Sequence, residues 1–139
     1  MIAKTANILV VDDSAHMRKL IIDSLKQLGF KSSIPAENAS EALSQLNQAK
    51  QSGTPVDLIL SDLNMPGPSG MDFLKQVRSS DSYSSLPFIL ITTENEKQAV
   101  IEAAVNGVSG YIVKPFDVQT LSQRLVEAWQ KHHPSSEKL

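Results

Sequence analysis

Asn7-Ile8-Leu9-Val10-Val11-Asp12-Asp13 is a short aliphatic run that ends abruptly in two acids. A continuous apolar run of that length, bounded by polar residues, suits a strand covered on both faces, which is the habit of parallel sheets. Four further segments take the same role, at 32–36, 56–61, 88–91 and 110–113. Helical patterns separate them. The first carries Met17, Leu20, Ile21, Ser24, Leu25 and Leu28 along one face and stops at Gly29, where a left-handed residue closes a helix. Gly53 and Gly107 punctuate the second and fourth, and Ser69 and Asp117 stand where side-chain oxygens cap helix starts. Apolar runs alternating five times with amphipathic segments predict an α/β domain with crossover helices rather than a sandwich or a bundle.

The strand order follows from the weakest member. Ser32-Ser33-Ile34-Pro35-Ala36 contains a proline that cannot donate to a ladder and so belongs at a sheet edge. Of the two common doubly wound orders, 2-1-3-4-5 puts strand two outermost, giving a flavodoxin-like doubly wound (βα)5 fold with a five-stranded parallel sheet. Strands one and three then flank the topological switch point, the usual ligand crevice of such sheets. Asp12 and Asp13 end the first of these strands and Asp62 the second.

At 139 residues the chain suits one domain. We read it as 1–131, with 132–139, containing Pro134 and two serines, as a frayed tail too short for an effector domain. Thirteen Lys and Arg against fifteen Asp and Glu give a net charge of −2 with no basic run, so nucleic acid is not an expected direct partner. No stretch approaches the roughly 20 apolar residues of a membrane span, and the start lacks the pattern of a secretory signal. The absence of cysteine excludes disulfides and thiolate metal sites, leaving the cytoplasm as the expected compartment.

Clustered carboxylates resist ionising together unless a cation compensates them. Magnesium suits such a mouth, since it takes hard oxygen ligands and typically one or two carboxylates plus a phosphate oxygen. A carboxylate so placed can be a nucleophile toward phosphorus, and Asp62, on the central strand, is the best choice. Lys114 and Thr92, at the ends of the last two strands, could then offset and hydrogen-bond the transferred oxygens. Each residue also has a plainer reading. The Asp pair could cap a helix, Asp62-Leu63-Asn64 could be a turn, Thr92 a β-branched strand end and Lys114 a surface lysine. Convergence of all of them at one sheet edge favours the chemical reading. His16, His132 and His133 read as solvated groups, and Trp129 with Val118, Leu121 and Leu125 as core of the last helix.

Val10-Val11-Asp12-Asp13-Ser14, Ser61-Asp62-Leu63-Asn64-Met65-Pro66, Ile91-Thr92-Thr93-Glu94 and Gly110-Tyr111-Ile112-Val113-Lys114-Pro115-Phe116 together resemble the marks of a response-regulator receiver domain, in order and spacing, from about Asn7 to Gln130. Within that family the chain is most similar to the single-domain chemotaxis regulators of the CheY type. The resemblance implies a phosphoacceptor at Asp62 served by a histidine kinase, and magnesium held by Asp13, Asp62 and the Asn64 main chain with Asp12 orienting through water. It implies a switch through Thr92 and Tyr111, a cis bond before Pro115, and tuning of self-catalysed dephosphorylation by Asn64 and Glu94. It further implies a signalling module rather than an enzyme, acting on an unknown downstream protein in chemotaxis or motility control. The face bordered by Val100, Ala104, Val108, Tyr111, Val113 and Arg124 is where receivers of this type bind partners. Leu63 departs from the aromatic often found there, and Gly67-Pro68-Ser69-Gly70 lacks the usual acid before the glycine. The alternatives are a magnesium-dependent phosphohydrolase with an aspartyl-phosphate intermediate, or a receiver cut from a longer regulator. Flavin binding is disfavoured because the two acids would face a cofactor phosphate.

Overall fold

The computed structural model describes residues 2–93 and 96–133. Five strands alternate with five helices: β1 (Asn7–Val11), α1 (Ala15–Gln27), β2 (Ser32–Ala36), α2 (Ala39–Gln51), β3 (Leu58–Ser61), α3 (Gly70–Ser79), β4 (Phe88–Thr92), α4 (Lys97–Val105), β5 (Gly110–Val113) and α5 (Val118–His132). The strands form one parallel sheet in the order β2-β1-β3-β4-β5, as expected. Pro35 lies opposite Val10 on the edge strand and is exposed. Two strands differ from expectation by a residue or two. β3 begins at Leu58 rather than Val56, because the Asp57 side chain takes the Asn7 amide at 2.8 Å and stands in for a ladder carbonyl. β4 extends one residue to Thr92, which pairs with Val113.

Local chemistry sets the helix starts. The side chains of Ser14, Asn38, Ser69 and Asp117 accept the main-chain amides of Met17, Glu41, Asp72 and Thr120. Each satisfies a donor that has no partner within its helix. At Ser69 the Asp72 carboxylate returns the bond to the Ser69 amide, completing a capping box. After α1, Gly29 takes φ +97°, the left-handed stop expected there.

Alternate strand residues serve two apolar layers. Leu9, Val11, Ile59 and Leu90 pack with Leu46 of α2, Phe73 and Leu74 of α3 and Ala103 of α4. Ile8, Val10, Leu58, Leu60, Ile89 and Ile91 pack with Ile21 and Leu25 of α1 and Leu121 and Leu125 of α5. Full burial of each such aliphatic side chain contributes about 1.5–3 kcal/mol, so the central strands form a stiff base for whatever their carboxyl ends carry. α4 is the exception. Only Ala103 of it is buried, while Val100, Ile101 and Val105 are exposed, so this helix has the smallest apolar anchorage of the five.

α5 includes His132, and the reading of His132 as solvated is corrected. The ring is half-buried with Nε2 2.7 Å from Oγ of Ser109, the residue just before β5. The same hydroxyl accepts the Phe88 amide at 3.0 Å and Arg78 Nη2 at 3.2 Å, and Arg78 also binds the Gly107 and Leu86 carbonyls. This network joins the ends of α3 and α5 to β4 and β5, and sequence periodicity alone gave no sign of it.

Candidate functional site

Hydrogen bonds between neighbouring strands bring the acids together. The Asp62 amide donates to the Val11 carbonyl at 2.8 Å, so the chain leaving β3 runs beside the chain leaving β1. Asp12 is 1% exposed and every polar group it has is engaged. Its amide donates to Ala36 O at 3.1 Å and its carbonyl accepts Arg18 Nη1 at 2.6 Å. Its Oδ1 accepts the Ser14 amide at 2.9 Å and its Oδ2 accepts Lys114 Nζ at 3.1 Å. Asp13, next in the chain, is exposed.

Lys114 is delivered by β5. Its amide donates to Thr92 O at 2.8 Å, which ties the mouths of β4 and β5, and the Lys114–Pro115 peptide is cis. Its ammonium also lies 3.5 Å from Asp62 Oδ1, while that oxygen accepts the Leu63 amide at 2.8 Å. Burial pushes the Asp62 carboxyl above its ordinary range, Lys114 opposes this, and the neighbouring Asp12 carboxylate adds to it. The balance is upward, so one lysine does not fully compensate the pocket.

Oxygens of Asp12, Asp13 and Asp62 lie within 4.8 Å of one another. Neighbouring oxygens around magnesium, each ~2.1 Å from the ion, are about 3 Å apart, so an all-oxygen mouth with one exposed member fits a partly hydrated magnesium. The raised Asp62 carboxyl is a second sign that the group wants more positive charge than Lys114 provides. Asn64 is exposed two residues beyond Asp62, and Thr92 is buried at the end of β4. Tyr111 is half-buried, opposite Leu90, and packs on the layer that includes Ala103. Glu94 lies outside the described residues.

Of the expected partner-face residues, Val100 and Ala104 fall on α4, Val108 in the loop after it, Tyr111 and Val113 on β5 and Arg124 on α5. Val100 and Val113 are each 39% exposed, Ala104 is exposed, and Val108 and Arg124 are half-buried. Arg124 pairs with Glu127 at 2.8 Å. Sequence reasoning missed Ile101 and Val105, 47% and 80% exposed, which extend the same apolar surface. The signal was present: the run Ala99 to Val105 is too apolar for one buried face of a helix.

Arg18 and Gly70 were also missed. Arg18 lies near the start of α1, where the helix dipole disfavours a cation, and its reach back to the Asp12 carbonyl offsets that placement. Gly70 opens α3 directly against the main chain of Asp62 and Leu63, and its amide donates to Leu63 O at 2.7 Å. Leu63, the departure noted above, is buried in the core beneath this turn. An apolar cavity of about 280 Å³, lined in part by Ile2, Phe30, Leu125 and Trp129, lies toward the amino ends of the strands, away from the acids.

Comparisons with known proteins bear on this geometry. Residues 8–126 match the model of the response regulator receiver domain. The chemotaxis protein CheY-3 of Vibrio cholerae is 38% identical over 128 residues, 92% of this chain and 95% of that protein. The chemotaxis protein CheY of Pseudomonas aeruginosa is 36% identical over 124 residues, covering 89% and 96% respectively. Among solved structures, Vibrio cholerae CheY4 superposes with a TM-score of 0.80 at 33% identity, covering 89% of this chain and 98% of that one. A response regulator receiver protein from Pseudomonas putida gives 0.78 at 28% identity, covering 91% and 99%.

Proposed function

The chain belongs to the response regulator receiver domain family, in its CheY-like branch, and from that membership we propose that Asp62 accepts a phosphoryl group from a histidine kinase with magnesium bound at the acidic mouth. The observation that carries the reading is the convergence of Asp12, Asp62 and Lys114, with Lys114 Nζ 3.1 Å and 3.5 Å from the two acids.

In the transfer an Asp62 oxygen attacks phosphorus, the P–N bond to the kinase histidine breaks, and the imidazole leaves with the proton that neutralises it. Asp13, Asp62 and the Asn64 main chain would hold magnesium, with Asp12 orienting through water, and the ion when bound would supply charge neutralisation at the transferred oxygens. Lys114 contributes a fixed cation to the same oxygens, and the Thr92 hydroxyl donates to one of them. Product formation gives Thr92 and Lys114 a new anion to follow. Tyr111 then changes the surface around Val100, Ala104, Val108, Val113 and Arg124, and a downstream protein binds the altered population. The thin anchorage of α4 supports this assignment, because an element with few buried residues shifts at low cost.

The protein acts as a signalling module, and Asn64 and Glu94 tune the self-catalysed loss of the phosphoryl group. The names of the relatives, which are chemotaxis proteins, favour motility control, and a cytoplasmic place belongs to the same reading; among the described residues no helix is long and apolar enough to cross a membrane. The phosphohydrolase alternative is not favoured. Such enzymes place the nucleophile on the first strand with a second acid two residues on, whereas the adjacent acids here end β1 and Asp62 ends β3.

Intact mass after incubation with magnesium and acetyl phosphate tests the assignment. One magnesium-dependent adduct of phosphoryl mass, absent in Asp62→Asn, is expected. No adduct on the folded wild type, or an equal adduct on Asp62→Asn, overturns it.

A further inference from the structure

We propose that Arg18 is a positioning residue for the acidic mouth: by holding the carbonyl of Asp12 it fixes the peptide that joins Asp12 to Asp13, and through that peptide it sets the cation affinity of the cluster. The inference rests on the reading of the mouth as a magnesium site.

A trans peptide is planar, so fixing the Asp12 carbonyl fixes the plane that leads to the Cα of Asp13. The side chain of Asp12 is already set by Ser14, Lys114 and its burial, and its amide by Ala36. Of these bonds only that of the Ser14 amide reaches past the peptide, closing a turn onto the Asp12 side chain, and none of them engages the peptide's own carbonyl. Arg18 Nη1, 2.6 Å from Asp12 O, acts there. Asp13 is the exposed member of the three acids, so packing does little to orient it, and the rotation of the 12–13 peptide is what the fold controls.

The guanidinium also stands in an unfavourable place on local grounds. A cation near a helix N-terminus is opposed by the dipole, and α1 has no acid in its first turn to soften this. The bond to Asp12 gives the residue a positional reason to be arginine, whose planar fork can keep a fixed direction to one acceptor. Partners that orient metal ligands typically change metal affinity 10- to 100-fold when removed.

Position and charge make opposite predictions, which makes the test sharp. If Arg18 acts only as a cation beside an acidic cluster, removing it tightens magnesium binding. If it positions Asp13, removing it weakens binding. Magnesium titrations by calorimetry on wild type, Arg18→Ala, Arg18→Met and Arg18→Lys decide between them, with thermal unfolding in EDTA recorded for each. The expected result is an affinity loss of about tenfold or more in Arg18→Ala and Arg18→Met, with partial recovery in Arg18→Lys. The loss should vanish when Asp13→Asn is present in both members of the pair, as a coupled pair requires. Should Arg18→Ala fail to fold, Arg18→Met, which keeps the aliphatic stem, carries the comparison. Unchanged or tighter binding in both charge-removing variants overturns the inference, as does a loss that persists undiminished with Asp13→Asn. A wild type that binds no magnesium refutes the site reading instead.

Discussion

Gly70 stands against Asp62 with no room for a side chain. A Cβ there would overlap the Asp62 carbonyl oxygen and lie 2.8 Å from the Leu63 Cα, and both are main chain, so neither can swing away. The turn after the acceptor aspartate and the start of α3 therefore share one packing constraint. Substituting Gly70 by alanine should destabilise the fold by about 1–3 kcal/mol. Because the displaced atom belongs to Asp62, the phosphorylation rate of the molecules that remain folded should fall as well. Denaturant unfolding and the rate of adduct formation measure the two effects separately, and an alanine variant equal to wild type in both would show that the turn relaxes freely.

Asp62 is held above its ordinary pKa chiefly by burial, with Asp12 adding to the effect and Lys114 opposing it. An acid whose folded pKa is raised costs stability once it ionises; the cost is absent below the unfolded pKa of about 3.9 and is fully present above the folded value. Asp62→Asn should accordingly be more stable than wild type at pH 7 in EDTA. The advantage should shrink as pH falls through the folded pKa. Magnesium should reverse the order, since it rewards the ionised wild type more than the amide. Melting curves at pH 4 and pH 7, with and without magnesium, check each sign.

Lys114 compensates two acids at once while only 11% of its side chain is exposed. Removing the ammonium leaves Asp12 and Asp62 facing each other at a largely buried mouth. Breaking a buried ion pair from one side costs ~3–5 kcal/mol, and the contact of this mouth with water puts Lys114→Met near or below the low end of that range. Added magnesium should recover part of the stability, because it replaces the missing charge, but not the rate of phosphoryl transfer. Urea unfolding with a magnesium series measures the first, and intact mass against time the second.

How much of this was legible in the string depends on the range of the interaction. The sheet order followed from Pro35 and the acidic mouth from strand ends, because backbone donors and strand burial act locally and leave local marks. Asp12, Asp62 and Lys114 could be brought together on paper once the order was known. Arg18, Gly70 and His132 could not be placed this way. Their roles depend on where a long side chain, a missing Cβ or a helix end meets a segment distant in sequence. The outward apolar residues of α4 were half visible, since Ile101 and Val105 exceed what one buried stripe can hold.

His132 is predicted to make the end of α5 sensitive to acid. Ser109 Oγ already accepts from the Phe88 amide and from Arg78, which occupies both of its lone pairs, so its single proton goes to His132 Nε2. The ring must then be neutral at Nε2. Burial lowers its pKa below the usual histidine value, and Arg78, His133 and Lys131 lower it further, against an opposing main-chain hydrogen bond at Ser85. A group lowered in this way contributes stability that is fully present above the unfolded pKa of about 6.5 and is lost as pH falls through the folded value. His132→Ala should cost about 1 kcal/mol at pH 8, the scale of one such hydrogen bond, and progressively less as the pH is lowered toward 5. Unfolding of both proteins across that range, with the His132 ring followed by NMR titration, measures the effect; a constant difference between them would mean that packing of the ring, and not its protonation state, holds the helix end.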